Sequence, residues 1–214
     1  RSFLTGITLT SGRAAMSIID DSYFNELDPG TNIDQDDEVT PTNVGEFLKE
    51  AELDLTQDLS EPPVCLEIKN RDKNTIFATL GNFSLVIGKA KSRKTFFVTL
   101  TLAAAMKNGE LLDKFISHIP DEDKMVLLFD TEQSPYHAQR TAKRVCRLDK
   151  VDMPKNFKAY SLRKYPPRER LMIIEHAILN TPELYFVVID GIRDLVNSIN
   201  DEVEATFIVS KLLK

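Results

Sequence analysis

The sequence has few cysteines and no long apolar run, and each absence excludes a class of protein. Its two cysteines, Cys65 and Cys146, lie far apart and match no metal-binding spacing, which excludes a disulfide scaffold and a zinc module. We therefore expect a reducing, cytoplasmic location. No apolar stretch reaches the length of a membrane span, and no signal peptide opens the chain. We expect no membrane partner.

The length of the chain sets the next expectation. With 214 residues, it can bury a substantial core without a disulfide or a metal. Arg1-Ser2 is not a natural start, so we expect a partial sequence. One hypothesis takes Met16 as the native initiator and residues 1–15 as foreign to the protein.

Acidic charge is concentrated near the N-terminus. Positions 17–62 hold 14 acidic residues and one basic residue, Lys49. Low hydrophobicity and high charge predict that residues 1–62 form an acidic, partly disordered arm, with one short helix from Thr42 to Pro62-Pro63. A calcium loop is the alternative, but the aspartates do not follow the spacing of an EF-hand. They are Asp20, Asp21, Asp34, Asp36 and Asp37.

Residues 63–214 alternate between strand-like and helix-like segments, which predicts an α/β domain with a mostly parallel sheet. It begins with a β-hairpin, predicted from 64–68 and 75–80. Later strands are predicted at 85–87, 125–130, 157–162 and 184–190, mostly as buried apolar runs. Helices are predicted at 96–106, 135–148, 168–179 and 202–214, with a C-cap at Asn108-Gly109 and a loop or short helix at 111–119.

One stretch carries the clearest chemical signal. A strand ends at Gly88, a short polar loop follows, and Lys94-Thr95 opens an apolar helix, which is the pattern of a phosphate-binding P-loop. Backbone N–H groups of such a loop and the helix dipole favour an anion. Lys94 would reach the β- and γ-phosphates, and the Thr95 hydroxyl would bind Mg²⁺. The predicted nucleotide-binding residues are Gly88, Lys89, Ala90, Lys91, Ser92, Arg93, Lys94, Thr95 and Phe96.

Arg93 stands where the P-loop pattern has its second glycine. Glycine is used where the backbone approaches a ligand closely or adopts a positive φ. The arginine side chain could strain the loop, or its charge could bind phosphate together with Lys89 and Lys91. The alternative is a basic turn between a strand and a helix that binds nothing.

Two further strands end in carboxylates. Ligands of open α/β sheets bind beyond the carboxyl ends of the strands, where Asp130, Glu132 and Asp190 are expected. Nucleotide hydrolysis needs a carboxylate at Mg²⁺ and a group that orients the attacking water. Asp190 fits the first role and Glu132 the second. The alternatives are a helix cap for Asp190 and a solvated loop acid for Glu132.

Other polar residues nearby receive weaker assignments. Asp194, one helical turn after Asp190, is interpreted as a salt-bridge partner. His137 is expected to lie on a helix surface, with phosphate contact as the alternative. Gln133 and Ser134 could contact the nucleotide. His118 and His176 are expected to be structural or exposed.

The predicted helix at 135–148 is basic. Arg140, Lys143, Arg144 and Arg147 are spaced so that they share one helix face. Such a face can neutralise the phosphates of a nucleic acid. The alternatives are a solvated face, or a surface paired with the acidic arm.

Three tracts together resemble a known family. Residues 81–95, 129–132 and 187–190 are similar to the RecA-like P-loop ATPase core. Within it they are most similar to RepA-type and DnaB-type AAA-family ATPases of bacterial plasmids and mobilisable transposons. The tract 190–195 is similar as well, and the resemblance covers about residues 64–214.

The resemblance implies a function and its residues. It implies that Glu132 and Lys94 are catalytic, that Thr95 and Asp190 hold Mg²⁺, and that ATP is the nucleotide. It also implies hydrolysis coupled to a DNA transaction by a homo-oligomeric ring. A core of this kind is expected to continue past Lys214 with a further strand. The alternative function is a nucleotide-binding regulatory or interaction protein with little turnover.

Overall fold

A computed structural model of the chain describes residues 3–10, 41–89, 92–120, 123–152 and 154–196. The chain divides into two compact units. Residues 1–14 and 62–214 form one, and residues 15–61 form the other. The predicted acidic stretch before Pro41, the hypothesis on Met16, and the predicted helix at 202–214 lie outside the described residues.

The described part of the smaller unit contains the helix α1, Pro41–Ala51. This helix ends well before Pro62-Pro63, where it was predicted to end. The reason lies at Asp54, whose carboxylate accepts hydrogen bonds from the backbone N–H of Thr56 at 2.9 Å and from its hydroxyl at 2.6 Å. This local turn competes with continued helix.

The larger unit is built on a mixed five-stranded sheet, not the mostly parallel sheet that was predicted. Its strand order is β4-β1-β9-β7-β8. Strands β9, β7 and β8 pair in parallel, whereas β1 is antiparallel to both β4 and β9. The strand bounds are β1 Phe3–Thr10, β4 Phe83–Gly88, β7 Met125–Asp130, β8 Phe157–Ser161 and β9 Leu184–Asp190.

A second sheet has four antiparallel strands in the order β3-β2-β6-β5. Their bounds are β2 Val64–Ile68, β3 Thr75–Thr79, β5 Gly109–Leu111 and β6 Phe115–Ser117. The predicted hairpin of β2 and β3 is confirmed. The prediction for 111–119 is wrong, because β5 and β6 form a second hairpin there. The predicted C-cap is also wrong, since Met106 is the C-cap residue and Gly109 begins β5.

Helices cover both faces of the central strands. Alternate residues of β7 and β9 enter two separate core clusters, so both strands are buried on two sides. One cluster includes residues of α2 and α3, and the other includes residues of α4 and a short 3₁₀ helix. The helix bounds are α2 Lys94–Ala105, α3 Pro135–Asp149, α4 Pro167–Asn180 and the 3₁₀ helix Ile192–Leu195.

Strand β4 is less buried than predicted. Its burial alternates along the strand, and Leu85 and Ile87 are 38% and 55% exposed. The reason is its position, because β4 lies at the edge of the sheet with β1 as its hydrogen-bonded neighbour. The three apolar residues of the predicted run therefore do not mark a fully buried strand.

Candidate active site

The carboxyl ends of three strands bring the predicted chemical groups to one edge of the sheet. Strand β4 ends at Gly88, β7 at Asp130 and β9 at Asp190. Asp130 and Asp190 are direct neighbours in the parallel ladder between β7 and β9. The site therefore combines the loop after β4 with two adjacent carboxylates.

The loop after β4 folds tightly against its own glycine. A Cβ at Gly88 would lie 2.4 Å from the Ser92 Oγ, so a larger residue would require the Ser92 side chain to move. The backbone N–H of Ser92 donates to the Lys89 carbonyl at 3.1 Å and closes a turn. Ala90 and Lys91 lie outside the described residues. The absence of a side chain at Gly88 thus lets Ser92 and Lys94 pack close to the end of β4.

Arg93 adopts the left-handed conformation, with φ 62° and ψ 30°, immediately before α2. This is a glycine-preferring conformation, and it costs an L-residue roughly 1–2 kcal/mol. The Arg93 side chain makes no capping hydrogen bond, and its carbonyl accepts from the N–H groups of Phe96 and Phe97. A left-handed residue at a helix start points successive N–H groups to one side, which forms an anion-binding concavity.

Lys94 lies between the loop and the carboxylates. Its Nζ donates a hydrogen bond to the Gly88 carbonyl at 3.1 Å. Its charge also acts on Glu132 and on Asp190, lowering the pKa of each. The ammonium group is therefore held over the loop and close to both carboxylates.

Asp190 is buried, with 3% of its surface exposed, and the Thr95 hydroxyl lies near enough to lower the pKa of its carboxyl. Burial, with the charges of Asp130 and Glu132 nearby, raises the pKa of Asp190 to about 7. The Thr95 hydroxyl and the charge of Lys94 oppose this rise. The first helical turn of α2 thus lies close to the end of β9.

The loop after β7 is shaped by Asp130. Its Oδ1 accepts hydrogen bonds from the backbone N–H groups of Glu132 at 3.1 Å and Gln133 at 2.8 Å. Thr131 joins this loop to β9, because its hydroxyl donates to the Gly191 carbonyl at 2.7 Å. A Cβ at Gly191, whose φ is +100°, would lie 2.2 Å from the Thr131 Oγ1 and 2.6 Å from the Glu132 Cγ. Gly191 therefore permits the close approach of the two strand ends.

Glu132 faces charges of both signs. Partial burial and the nearby Asp194 raise the pKa of Glu132, and Lys94 lowers it. Asp194 is a salt-bridge partner, as predicted, with its Oδ2 3.9 Å from Nη1 of Arg170. The Asp194 Oδ2 also lies 3.2 Å from the Thr131 hydroxyl, as an alternative acceptor to the Gly191 carbonyl. Its contacts support the loop that carries Glu132.

The Gln133 side chain acts on Asp130 and helps to lower its pKa, whereas the three histidines and Ser134 do not join this site by their side-chain contacts. The His118 side chain is hydrogen-bonded to Glu67, and the His176 side chain to Asn180. Neither pair involves a residue at the carboxyl ends of β4, β7 and β9. His137 packs edge-on against Tyr136 on α3. Ser134 is the N-cap residue of α3 and makes no side-chain capping bond.

The predicted basic helix is confirmed as α3. Arg140, Lys143 and Arg147 are exposed, and Arg144 is half-buried. The guanidinium of Arg140 lies 6.0 Å from the centre of the exposed Tyr136 ring. Within the described ranges, no acidic side chain forms an ion pair with these four cations. We call them, with Tyr136, the α3 basic face.

The ligand set at the strand ends suits magnesium. No group of three or more histidine, cysteine, aspartate or glutamate side chains in the described part of the chain is arranged to hold a metal ion. Mg²⁺ is usually held by one or two carboxylates and takes its other ligands from phosphates and water. Asp190 and the Thr95 hydroxyl fit that mode of binding.

Three residues of this site received no role from the sequence. The sequence shows Asp130 as a carboxylate at the end of a strand, and Gly191 as the residue after Asp190. The contacts of both residues depend on the pairing of β7 with β9, which the sequence does not show. Thr131 gave no signal at all.

Among the described helices, none has both the length and the apolar character needed to cross a bilayer.

Comparisons with protein-family models, with curated proteins and with solved structures find no match for this chain.

Proposed function

We propose that this chain binds a magnesium nucleoside triphosphate at the strand ends and hydrolyses its terminal phosphate. The observation that carries the proposal is the convergence of Lys94, Thr95, Asp190 and Glu132, which come from three separate elements. Phosphoryl transfer needs a phosphate cradle, a cation, a carboxylate at Mg²⁺ and a group that orients water. Each requirement has one candidate here.

The proposed chemistry assigns one task to each group. The N–H groups at the start of α2 and the Lys94 ammonium bind the phosphates and stabilise charge that develops on them. Thr95 and Asp190 would hold Mg²⁺, which supplies further charge neutralisation at the phosphates when bound. Glu132 orients the attacking water and accepts its proton, a role that its raised pKa favours.

The proposal is tested by calorimetric titration with ATP and Mg²⁺. Lys94→Ala should abolish measurable binding and leave the fold intact, because it removes the ammonium but no core side chain. Lys158→Ala is the matched control, since Lys158 is an exposed lysine on β8. Equal ATP affinity in the parent and in Lys94→Ala would reject the proposal.

We further propose the finer assignment to a RecA-like ATPase that acts on DNA as a ring. The order of the three motifs along the chain supports it, and so does the α3 basic face, whose exposed cations have no acidic partner among the described residues. Aromatic and cationic side chains together bind single-stranded nucleic acid. The test is ATP hydrolysis and assembly state, measured with and without single-stranded DNA.

A second candidate function is nucleotide-dependent regulation with little turnover. Arg93 favours it, because a side chain at the left-handed position leaves less room for the backbone to approach phosphate than glycine would. Single-turnover measurements distinguish the two functions. A regulatory protein would bind nucleotide and release it unchanged.

A further inference from the structure

One buried oxygen at the candidate active site has no partner. Asp130 is 1% exposed, and its Oδ1 accepts the two backbone hydrogen bonds of the Glu132 loop. Its Oδ2 is buried and makes no hydrogen bond within the described residues. A buried polar atom without a partner costs roughly 1–3 kcal/mol, so such atoms are rare and call for an explanation.

The turn alone does not explain this carboxylate. An Asx turn needs one oxygen acceptor, and an asparagine would supply it and avoid burying a charge. Asp130 also lies directly beside Asp190 in the ladder, and each strand ends at its aspartate. Two neighbouring buried carboxylates repel each other. A divalent cation would relieve this repulsion and give the free oxygen a partner.

We propose that Asp130 is a second carboxylate ligand of the Mg²⁺ that accompanies the nucleotide, through Oδ2, while its Oδ1 fixes the Glu132 loop. The inference rests on the proposed nucleotide site and adds a ligand to it. Two carboxylates remain within the usual coordination of Mg²⁺, which takes its other ligands from phosphate and water. Asp130 therefore links the position of the cation to that of Glu132.

The test uses Asp130→Asn, because this change separates the two roles. The amide keeps one oxygen for the N–H groups of Glu132 and Gln133 and replaces the free oxygen with a nitrogen that cannot bind Mg²⁺. A fluorescent ATP analogue is titrated at a series of Mg²⁺ concentrations and in excess chelator. The Mg²⁺ concentration at half-maximal binding should rise by at least about 10- to 100-fold, since that is the usual loss when even an outer-shell partner of a metal ligand is mutated. Binding in chelator should not change.

Asp194→Asn is the matched control. It removes one negative charge from the same edge of the sheet, and Asp194 acts electrostatically on both Asp130 and Glu132. The Mg²⁺ midpoint of this variant should stay close to that of the parent. An unchanged midpoint in Asp130→Asn, or an equal rise in both variants, would overturn the assignment.

A second measurement does not require Asp130→Asn to fold. Mn²⁺ and ATP are bound to the parent protein labelled with ¹³C in the aspartate carboxyl groups, and electron–nuclear double resonance detects the carbons next to the metal. Two carboxylate couplings are expected in the parent. A single coupling would overturn the proposal. If the parent binds no nucleotide at all, the proposed function fails; if it binds with Mg²⁺ and only one carboxylate is detected, the assignment of Asp130 alone fails.

Discussion

Replacing Asp190 with asparagine should stabilise the empty protein while it removes magnesium-dependent nucleotide binding. Asp190 is buried beside Asp130, and its pKa is raised from 3.8 to about 7. A carboxyl whose pKa is raised on folding prefers to remain protonated in the folded state. Above that pKa, the folded protein must carry a charge that the unfolded chain solvates more easily. Asparagine keeps a side-chain oxygen near the Thr95 hydroxyl and carries no charge.

The magnitude follows from the pKa difference. At roughly 1.4 kcal/mol for each pKa unit, the difference between 3.8 and about 7 corresponds to about 4 kcal/mol. Relaxation and water entry reduce such penalties, so we expect a gain of about 2–4 kcal/mol. A chain of this length should then melt roughly 5–15 °C higher.

The pH dependence has a definite sign. Because the folded pKa is the higher one, the contribution of Asp190 to stability is fully present below about pH 4 and is lost as the pH rises through about 7. The advantage of Asp190→Asn should therefore be near zero at the acid end of this window and reach its maximum above neutral pH.

Thermal unfolding of the parent and of Asp190→Asn, in chelator and without nucleotide, measures this advantage across the window. Asp149→Asn is the matched control. Asp149 is also buried, but it pairs with Lys107 at 2.5 Å, so its replacement should lower stability. Equal melting temperatures for the parent and Asp190→Asn at every pH would refute the reasoning, and so would an advantage that is largest in acid.

The remaining predictions concern turnover, the loop and the basic face. Glu132→Gln should keep ATP binding and slow hydrolysis by ~10²–10⁴-fold, because the amide cannot accept the proton of water; unchanged turnover would place the base elsewhere. Arg93→Gly should stabilise the nucleotide-free protein by up to about 1 kcal/mol, because it removes the strain of the left-handed conformation. The same change should weaken ATP binding by ~1–3 kcal/mol if the guanidinium contacts phosphate. Tighter ATP binding on titration would contradict this contact. Reversing the four charges of the α3 basic face should remove binding of single-stranded DNA and spare ATP binding. In the parent, the log of DNA affinity should fall with the log of salt concentration by about 0.7 for each neutralised phosphate, and a flat salt dependence would exclude phosphate contacts. The four residues are Arg140, Lys143, Arg144 and Arg147.

Local patterns were sufficient for the elements that carry the candidate site. Strands β7 and β9 are apolar runs that end in a carboxylate. Both faces of each strand are buried, which explains the unbroken apolar run before the final aspartate. Helix α3 follows from its polar–apolar spacing and from Pro135 at its first turn. Ligands of open α/β sheets bind beyond the carboxyl ends of the strands, and this rule predicted that Gly88, Asp130 and Asp190 lie at one edge of the sheet.

Non-local pairing and unusual turns could not be predicted in this way. Strand β1 lies between β4 and β9, but the sequence of residues 3–10 does not indicate that it pairs with these two strands. The β5–β6 hairpin has strands of three residues and a turn in which Leu112 and Asp113 both have positive φ. Hairpins of this kind are usually signalled by asparagine and glycine, which are absent from that turn.

The candidate site concentrates several energetically unfavourable features. Arg93 occupies a left-handed conformation, Asp190 and Asp130 are buried beside each other, and one oxygen of Asp130 is unpaired. Strain and perturbed carboxylates of this kind persist where function requires them. A role limited to stability would select against each of them, since glycine at position 93 removes the left-handed strain and asparagine at 130 or 190 removes a buried charge. A phosphate anion at the start of α2 and a divalent cation at the carboxylates would compensate these costs together. The proposed magnesium nucleotide would therefore account for both the loop and the carboxylates, although they belong to different strands.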